Sequence, residues 1–136
     1  MTTARPFFMF QGGTAQAALD LYFATFPDSG MVQVERYAEG DAGPPGTIKV
    51  AVFTLCGREF MCSDSPVKHD FSFTPASSTF VEFDSLTELE RTFSTLSEGG
   101  QVLMPLNNYG FSEKFGWLND RFGVSWQLNL AGRQPH

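Results

Sequence analysis

The chain has 136 residues, 42% hydrophobic and 18% charged, the length and composition of one compact globular domain and not of a disordered segment. Its formal charge is −6, from 15 acidic against 9 basic residues with no Lys/Arg cluster, which argues against DNA or RNA as a partner because phosphate recognition needs a basic patch. No run of about 18 apolar residues stands ready to cross a bilayer, and the apolar run in MTTARPFFMFQGG is too short for a signal peptide.

In chain order, residues 7–11 read as a short strand, followed by a helix over AALDLYFATF, residues 17–26, with Thr14 as its N-cap and Pro27 as its end. Leu19, Phe23 and Phe26 fall at i, i+4 and i+7 and make one apolar stripe. Residues 32–37 alternate with period two. TIKVAVFTL, residues 47–55, is a β-branched run that Cys56-Gly57-Arg58 turns into a strand over 59–63. The stretch 38–46 (AEGDAGPPG) is a loop, and residues 64–76 (DSPVKHDFSFTPA) connect two halves.

The second half repeats the first. TELERTFSTL, residues 87–96, aligns with 17–26 at an offset of 70 and carries its stripe on Leu89, Phe93 and Leu96. A strand over 79–83 precedes it, Asp84 or Ser85 caps it, and Gly99-Gly100 ends it. Strands over 101–104, 114–119 and 124–130 follow, with a turn at Asn119-Asp120-Arg121. The predicted fold class is therefore α+β: two βαβββ modules, near 5–64 and 76–130 with linker 65–75, within a single domain and with a frayed tail after Leu130.

One helix covers one face of each sheet and leaves the other bare. Two such units shelter their bare faces by curving into a trough. On the last strand Val124, Trp126, Leu128 and Leu130 share a face, and Trp126 is expected beneath a helix. Ser125, Gln127 and Asn129 then look into the trough, the alternative being an exposed polar strand face. The 15 Phe residues can fill a core or line an apolar pocket, and composition does not separate those uses.

Cys56 and Cys62 match neither a disulfide framework nor a zinc knuckle and read as free thiols, which fits a reducing cytoplasm. Cys62 has no basic sequence neighbour to make it a nucleophile. His136 is terminal. His69 stands beside Asp70, but adjacent residues seldom orient each other, so His69 reads as a solvated linker residue with no activated Ser or Cys implied nearby. Gly12-Gly13 lacks the rest of a phosphate-binding motif. In the loop NNYGF, Tyr109 is placed either at the trough mouth, where it would grip a planar ligand, or in an ordinary turn.

Three stretches, FFMFQGGTAQAALDLYFATFPDS, GTIKVAVFTLCGREFMCSD and FGWLNDRFGVSWQLNL, resemble the vicinal oxygen chelate superfamily of glyoxalases, bleomycin-resistance proteins and extradiol dioxygenases. Within it the chain is similar to the PhnB-like branch, also labelled demethylubiquinone methyltransferase-like. The resemblance spans nearly all of residues 5–130 and implies paired βαβββ modules forming curved mixed sheets around a trough-like cavity, commonly as a homodimer.

The superfamily's metalloenzymes hold a divalent ion on four cavity-facing strand positions. By resemblance these fall near Phe7, within Met61 to Ser63, near Ser78 and on Gln127. A ring, a hydroxyl and a neutral amide are poor substitutes for carboxylates and imidazoles. The expectation is therefore a metal-free, cofactor-free pocket drawn from Phe7, Met9, Ser63, Ser78, Tyr109, Ser125, Gln127 and Asn129. The implied function is binding of an apolar or aromatic small molecule. The alternative is a metal-dependent lyase, isomerase or dioxygenase-type enzyme using incomplete or partner-chain ligands. Methyl transfer fits poorly, because no glycine-rich strand-to-helix loop for a methyl donor is present and the chain is short for such a fold.

Overall fold

Each half of the chain runs strand, helix, strand, strand, strand. In the first half these are β1 (Phe7–Phe10), α1 (Ala15–Thr25), β2 (Gly30–Arg36), β3 (Ile48–Leu55) and β4 (Arg58–Asp64). In the second they are β5 (Thr79–Phe83), α2 (Leu86–Ser97), β6 (Gln101–Asn107), β7 (Phe115–Asn119) and β8 (Ser125–Leu130). The computed structural model describes residues 1–132, and the chain divides into two compact units after Ser72. The tail beyond, with His136, lies outside the described residues. The fold class is α+β, two βαβββ modules each with its own four-stranded mixed sheet.

The first sheet has the order β1-β4-β3-β2, with β1 parallel to β4 and the other pairs antiparallel. Strand alternation in IKVAVFTL and REFMCSD puts Ala51, Phe53, Leu55, Phe60, Cys62 and Asp64 on one face, where all are buried. Helix α1 covers that face with Ala15, Ala18, Leu19 and Tyr22. Of the expected stripe, Leu19 and Phe26 are buried and Phe23 only partly; Tyr22 is fully buried as well, because Ala15 and Ala18 let the helix approach the sheet on their side. The β3–β4 turn is two residues, Cys56 at φ 53° and Gly57 at φ 77°, the left-handed pair that matches the twist of a tight hairpin.

One local expectation fails. Thr14 does not cap α1; its backbone is helical and its Oγ1 donates to Gln11 O at 3.2 Å. The buried Asp64, at the end of β4, does the capping, its Oδ1 accepting from Ala15 N and its Oδ2 from Ile48 N, both at 2.9 Å. A carboxylate serves a helix N-terminus better than a neutral hydroxyl, since it also meets the helix dipole.

The second sheet has the same topology, β5-β8-β7-β6, with β5 parallel to β8. Leu89, Thr92, Phe93 and Leu96 are the buried side of α2, which includes the expected stripe. Ser85 is the cap, its Oγ accepting from Glu88 N at 3.2 Å. Gly116 in β7 lies under α2, and a Cβ there would stand 2.4 Å from Phe93 Cε2. Trp126 is fully buried on this helix side, directly opposite Leu118.

Strand β6 runs past the expected end at 104 to Asn107, carrying Pro105 where the register with β7 shifts. A shifted register leaves room for a residue that has no N–H to give. The β7–β8 turn also sits later than expected, since Asn119 still pairs with Ser125. Asp120 organises the turn: its Oδ1 accepts from Phe122 N and Val124 N, and its Oδ2 from Trp126 Nε1 at 2.9 Å.

Candidate functional site

In each unit the sheet face away from the helix is left uncovered by the helix. Register fixes its membership, because paired residues share a face. On the second sheet Gln127 lies between Phe80 and Trp117, and Asn129 between Glu82 and Phe115. Ser125, paired with Asn119, completes the row on β8.

This row is polar and mostly self-satisfied. Gln127 Nε2 donates to Ser78 Oγ at 2.7 Å, so two of the expected pocket residues are bound to each other. Ser125 is 2% exposed and its Oγ accepts from Trp117 Nε1 at 2.8 Å, so it positions an indole. Asn129 differs. Its Oδ1 is buried without a hydrogen-bond partner, as is that of Asn119. A buried acceptor without a donor costs about 1–3 kcal/mol, so it is a place where an added donor would gain most.

Beside the polar row stands a group of rings. Phe115 packs edge-on against Phe111 at 5.0 Å and against Tyr109 at 6.2 Å, while Phe80 stacks on it at 6.3 Å. Phe80, Tyr109 and Phe111 are nevertheless exposed, at 53%, 37% and 66%. Tyr109 is held by its hydroxyl, which donates to Pro105 O at 2.6 Å. Phe111 belongs to the aromatic loop NNYGF that the sequence singled out, whereas Phe80 escaped that reading, although strand parity with Ser78 puts it on the same face.

On the first sheet Phe7 pairs with Met61 and Met9 with Ser63, and these four share the face opposite α1. Phe7 is half exposed, while Met9 and Ser63 are half-buried. The expected residues therefore form two groups, Phe7, Met9 and Ser63 in one unit and Ser78, Tyr109, Ser125, Gln127 and Asn129 in the other.

The divalent metal of the superfamily's enzymes does not fit these side chains. Phe7 offers a ring, and Ser78 and Gln127 offer only a neutral hydroxyl and a neutral amide oxygen. Among the described residues no three or more His, Cys, Asp and Glu side chains cluster as a metal site would need.

A cavity of about 870 Å³ opens in the first unit, lined by Gln11, Gly12, Gly13, Pro44, Thr47 and residues 64–72. Gln11 clamps the segment 65–72: its Oε1 accepts from His69 N at 2.7 Å and its Nε2 donates to Phe71 O at 2.8 Å. His69 is consequently half-buried, stacked on Phe71 at 4.8 Å, with its Nε2 2.9 Å from Ser65 Oγ. The histidine expected as a solvated linker residue, with no activated Ser or Cys implied nearby, is half-buried and touches a serine hydroxyl. The visible signal was the spacing in SPVKH, which a single helical or turn-like bend can close.

Both cysteines are free. Burial and then the nearby Asp64 carboxylate push the Cys62 thiol up to about 12, so it is a packing residue and no nucleophile. The Cys56 thiol is raised by burial and by Asp28.

Comparison with known proteins follows the same lines. The family model described as 3-demethylubiquinone-9 3-methyltransferase matches residues 2–129. The PhnB protein from Bacillus cereus is 48% identical, with a TM-score of 0.92 over 96% of this chain and 100% of its own. Protein PA1353 from Pseudomonas aeruginosa is 27% identical, with a TM-score of 0.81 over 96% and 98%. Protein YjdN of Escherichia coli strain K12 is 25% identical over 121 residues, 89% of this chain and 82% of its own. The fosfomycin resistance protein FosX from Listeria monocytogenes shares the fold alone, at 9% identity and a TM-score of 0.62 over 97% and 94%.

Proposed function

The chain belongs to the 3-demethylubiquinone-9 3-methyltransferase family, in its PhnB-like branch within the glyoxalase and bleomycin-resistance superfamily, and from that premise we propose that it is a metal-free small-molecule-binding protein. Its ligand is apolar or aromatic and lies on the open face of the second sheet. The observation that carries this reading is the exposed ring group of Phe80, Tyr109 and Phe111 beside the polar row of Gln127 and Asn129. Ring faces give a planar molecule contact area, and the few amide groups orient it.

The methyl transfer in the family's description finds little support here. Both sheets are mixed and each carries a single helix on one face, unlike the doubly wound sheet on which a methyl donor is usually held. The proposal includes a single two-module domain, a homodimer and a cytoplasmic setting. Exposed Phe7 and Phe80 favour a partner copy, and two free thiols favour a reducing compartment. Among the described residues no helix is long and apolar enough to cross a membrane.

Native mass spectrometry of freshly purified protein, followed by a thermal-shift screen of planar aromatic compounds, tests the reading. A true ligand at a hundredfold excess over its dissociation constant stabilises the fold by about 2.7 kcal/mol, a shift of several degrees. Phe80→Ala and Phe111→Ala should abolish that shift. Ni²⁺, Zn²⁺, Mn²⁺ and S-adenosylmethionine should each leave the midpoint in place. A stoichiometric divalent ion with Gln127 in its coordination shell would replace this reading with that of a metal-dependent enzyme.

A further inference from the structure

The cavity of the first unit has no part in the binding reading, yet it holds a serine hydroxyl and an imidazole in contact. Ser65 Oγ and His69 Nε2 are 2.9 Å apart, within the 2.6–3.2 Å range over which an imidazole can take a hydroxyl proton. His69 is held at its backbone and at its ring. Gln11 Oε1 accepts from the backbone N–H of His69 at 2.7 Å, and the Phe71 ring stacks on the imidazole with 23° between the planes. The serine is fixed as well, since its Oγ lies 2.8 Å from Val67 O and accepts from Val67 N at 3.3 Å.

The pair opens onto room for a substrate. The cavity of about 870 Å³ is walled on its apolar side by Pro44, Pro66, Val67 and Phe71. Gly12 and Gly13 line it at the head of α1, and a Cβ on Gly12 would meet nothing within 4 Å. The Asp64 carboxylate in the same wall is already engaged by Ala15 N and Ile48 N.

We propose that Ser65 and His69 form a nucleophile–base pair that transfers the acyl group of a small carboxylic ester to water. Ser65 Oγ bonds to the carbonyl carbon as its proton passes to His69 Nε2. The carbon–alkoxy bond breaks, and His69 returns the proton to the departing alcohol. Water then attacks the acyl-serine with His69 again as base, releasing the carboxylic acid and restoring the serine hydroxyl. The net change is ester plus water to acid plus alcohol, with no other reactant. The hydroxyl proton must leave Val67 O for His69 at the start, a rotation about one bond.

The test uses the full chain and an alkyl fluorophosphonate, which traps a serine only when a base activates it. Intact mass and peptide mapping should show one adduct, on Ser65. His69→Asn should slow labelling about a hundredfold or more, the low end for loss of a general base. Acylating His69 with diethyl pyrocarbonate in the unmutated chain should block labelling too, which keeps the test decisive if the variant fails to fold. Turnover of p-nitrophenyl acetate should fall in the same proportion. Absence of an adduct on Ser65, or an adduct whose rate ignores both treatments of His69, overturns the proposal. None of these outcomes touches the aromatic site of the second unit, which Phe80→Ala and Phe111→Ala test separately.

Discussion

The two halves share an element order but are secured in different ways. Asp64 ties the first together over distance, bonding to backbone groups 49 and 16 residues away. Asp120 serves its own turn, accepting from Phe122 N, Val124 N and Trp126 Nε1, the last six residues on. The helices follow suit: α1 is capped by that distant carboxylate, α2 by its neighbouring Ser85. Both aspartates are buried and hydrogen-bonded, as a buried charge must be. The difference teaches that repetition of elements does not entail repetition of the bonds that hold them: the carboxylate of the first unit spans the sheet, and that of the second stays in its turn.

The comparison breaks first at the core of the second unit. Trp126→Ala removes a fully buried indole and leaves Asp120 Oδ2 without the donor it had at 2.9 Å. The expected cost is about 3–5 kcal/mol in urea unfolding. Gln127→Ala, next to it but on the open face, should cost less than about 1 kcal/mol, because its amide can be replaced by water. Equal losses would mean that the two faces of β8 have been interchanged.

Asp64→Ala comes next. It leaves Ala15 N and Ile48 N without their acceptor and removes the negative charge from the head of α1. Losing two charge-assisted bonds should cost on the order of 3 kcal/mol. Hydrogen exchange should show the loosening in α1 and at the start of β3, while α2 keeps its protection. Loosening spread evenly over both helices would erase the contrast between the halves.

The long reach of Asp64 also explains what sequence could and could not disclose. Alternation in residues 47–55, the stripe of Leu89, Phe93 and Leu96, and Gly57 at a positive φ are local patterns, and each led to the right element. The same local logic nominated Thr14 as a cap and missed, because the true acceptor lies across the sheet. Ser125 was placed on the correct strand, but its bond to Trp117 depends on the β7–β8 register. Ser65 and His69 are close in sequence, yet their contact depends on Gln11, which clamps the loop from 58 residues away. Side chains bound by backbone periodicity were legible, and side chains bound by another element were not.

A smaller effect concerns Cys62, which has the Asp64 carboxylate as a neighbour. Its thiol moves from 9.0 up to about 12 in the fold, so the folded state keeps a proton that the unfolded chain gives up. That contribution is complete below pH 9 and declines as pH rises from there toward 12. Between pH 8 and pH 10 the stability lost through this group should be on the order of 1 kcal/mol. Cys62→Ala should flatten that part of the stability curve, and a disulfide reagent should modify Cys56 first, since Cys62 is fully buried. An unchanged alkaline slope in Cys62→Ala would show that its ionisation is not linked to folding.

The smallest expected effect bears most directly on the contrast between helices. Ser85→Ala deletes the oxygen that accepts from Glu88 N, so α2 should lose about 1 kcal/mol, the usual worth of an N-cap. Thr14→Ala occupies the matching place before α1 but makes no capping bond, and its Oγ1 only donates to Gln11 O. Its cost should stay within about 0.5 kcal/mol, as for other substitutions away from such features. Combining each with Asp64→Ala sharpens the test. If Thr14 is a silent cap that Asp64 has displaced, its hydroxyl should gain value once the carboxylate is gone, and the two losses will not add. If the helical backbone at Thr14 denies it that role, the losses in the first unit will simply sum, as those of Ser85 and Asp64 should across separate units. The second outcome is the expected one, because a cap needs an extended backbone and Thr14, at φ −91° and ψ −2°, does not have it.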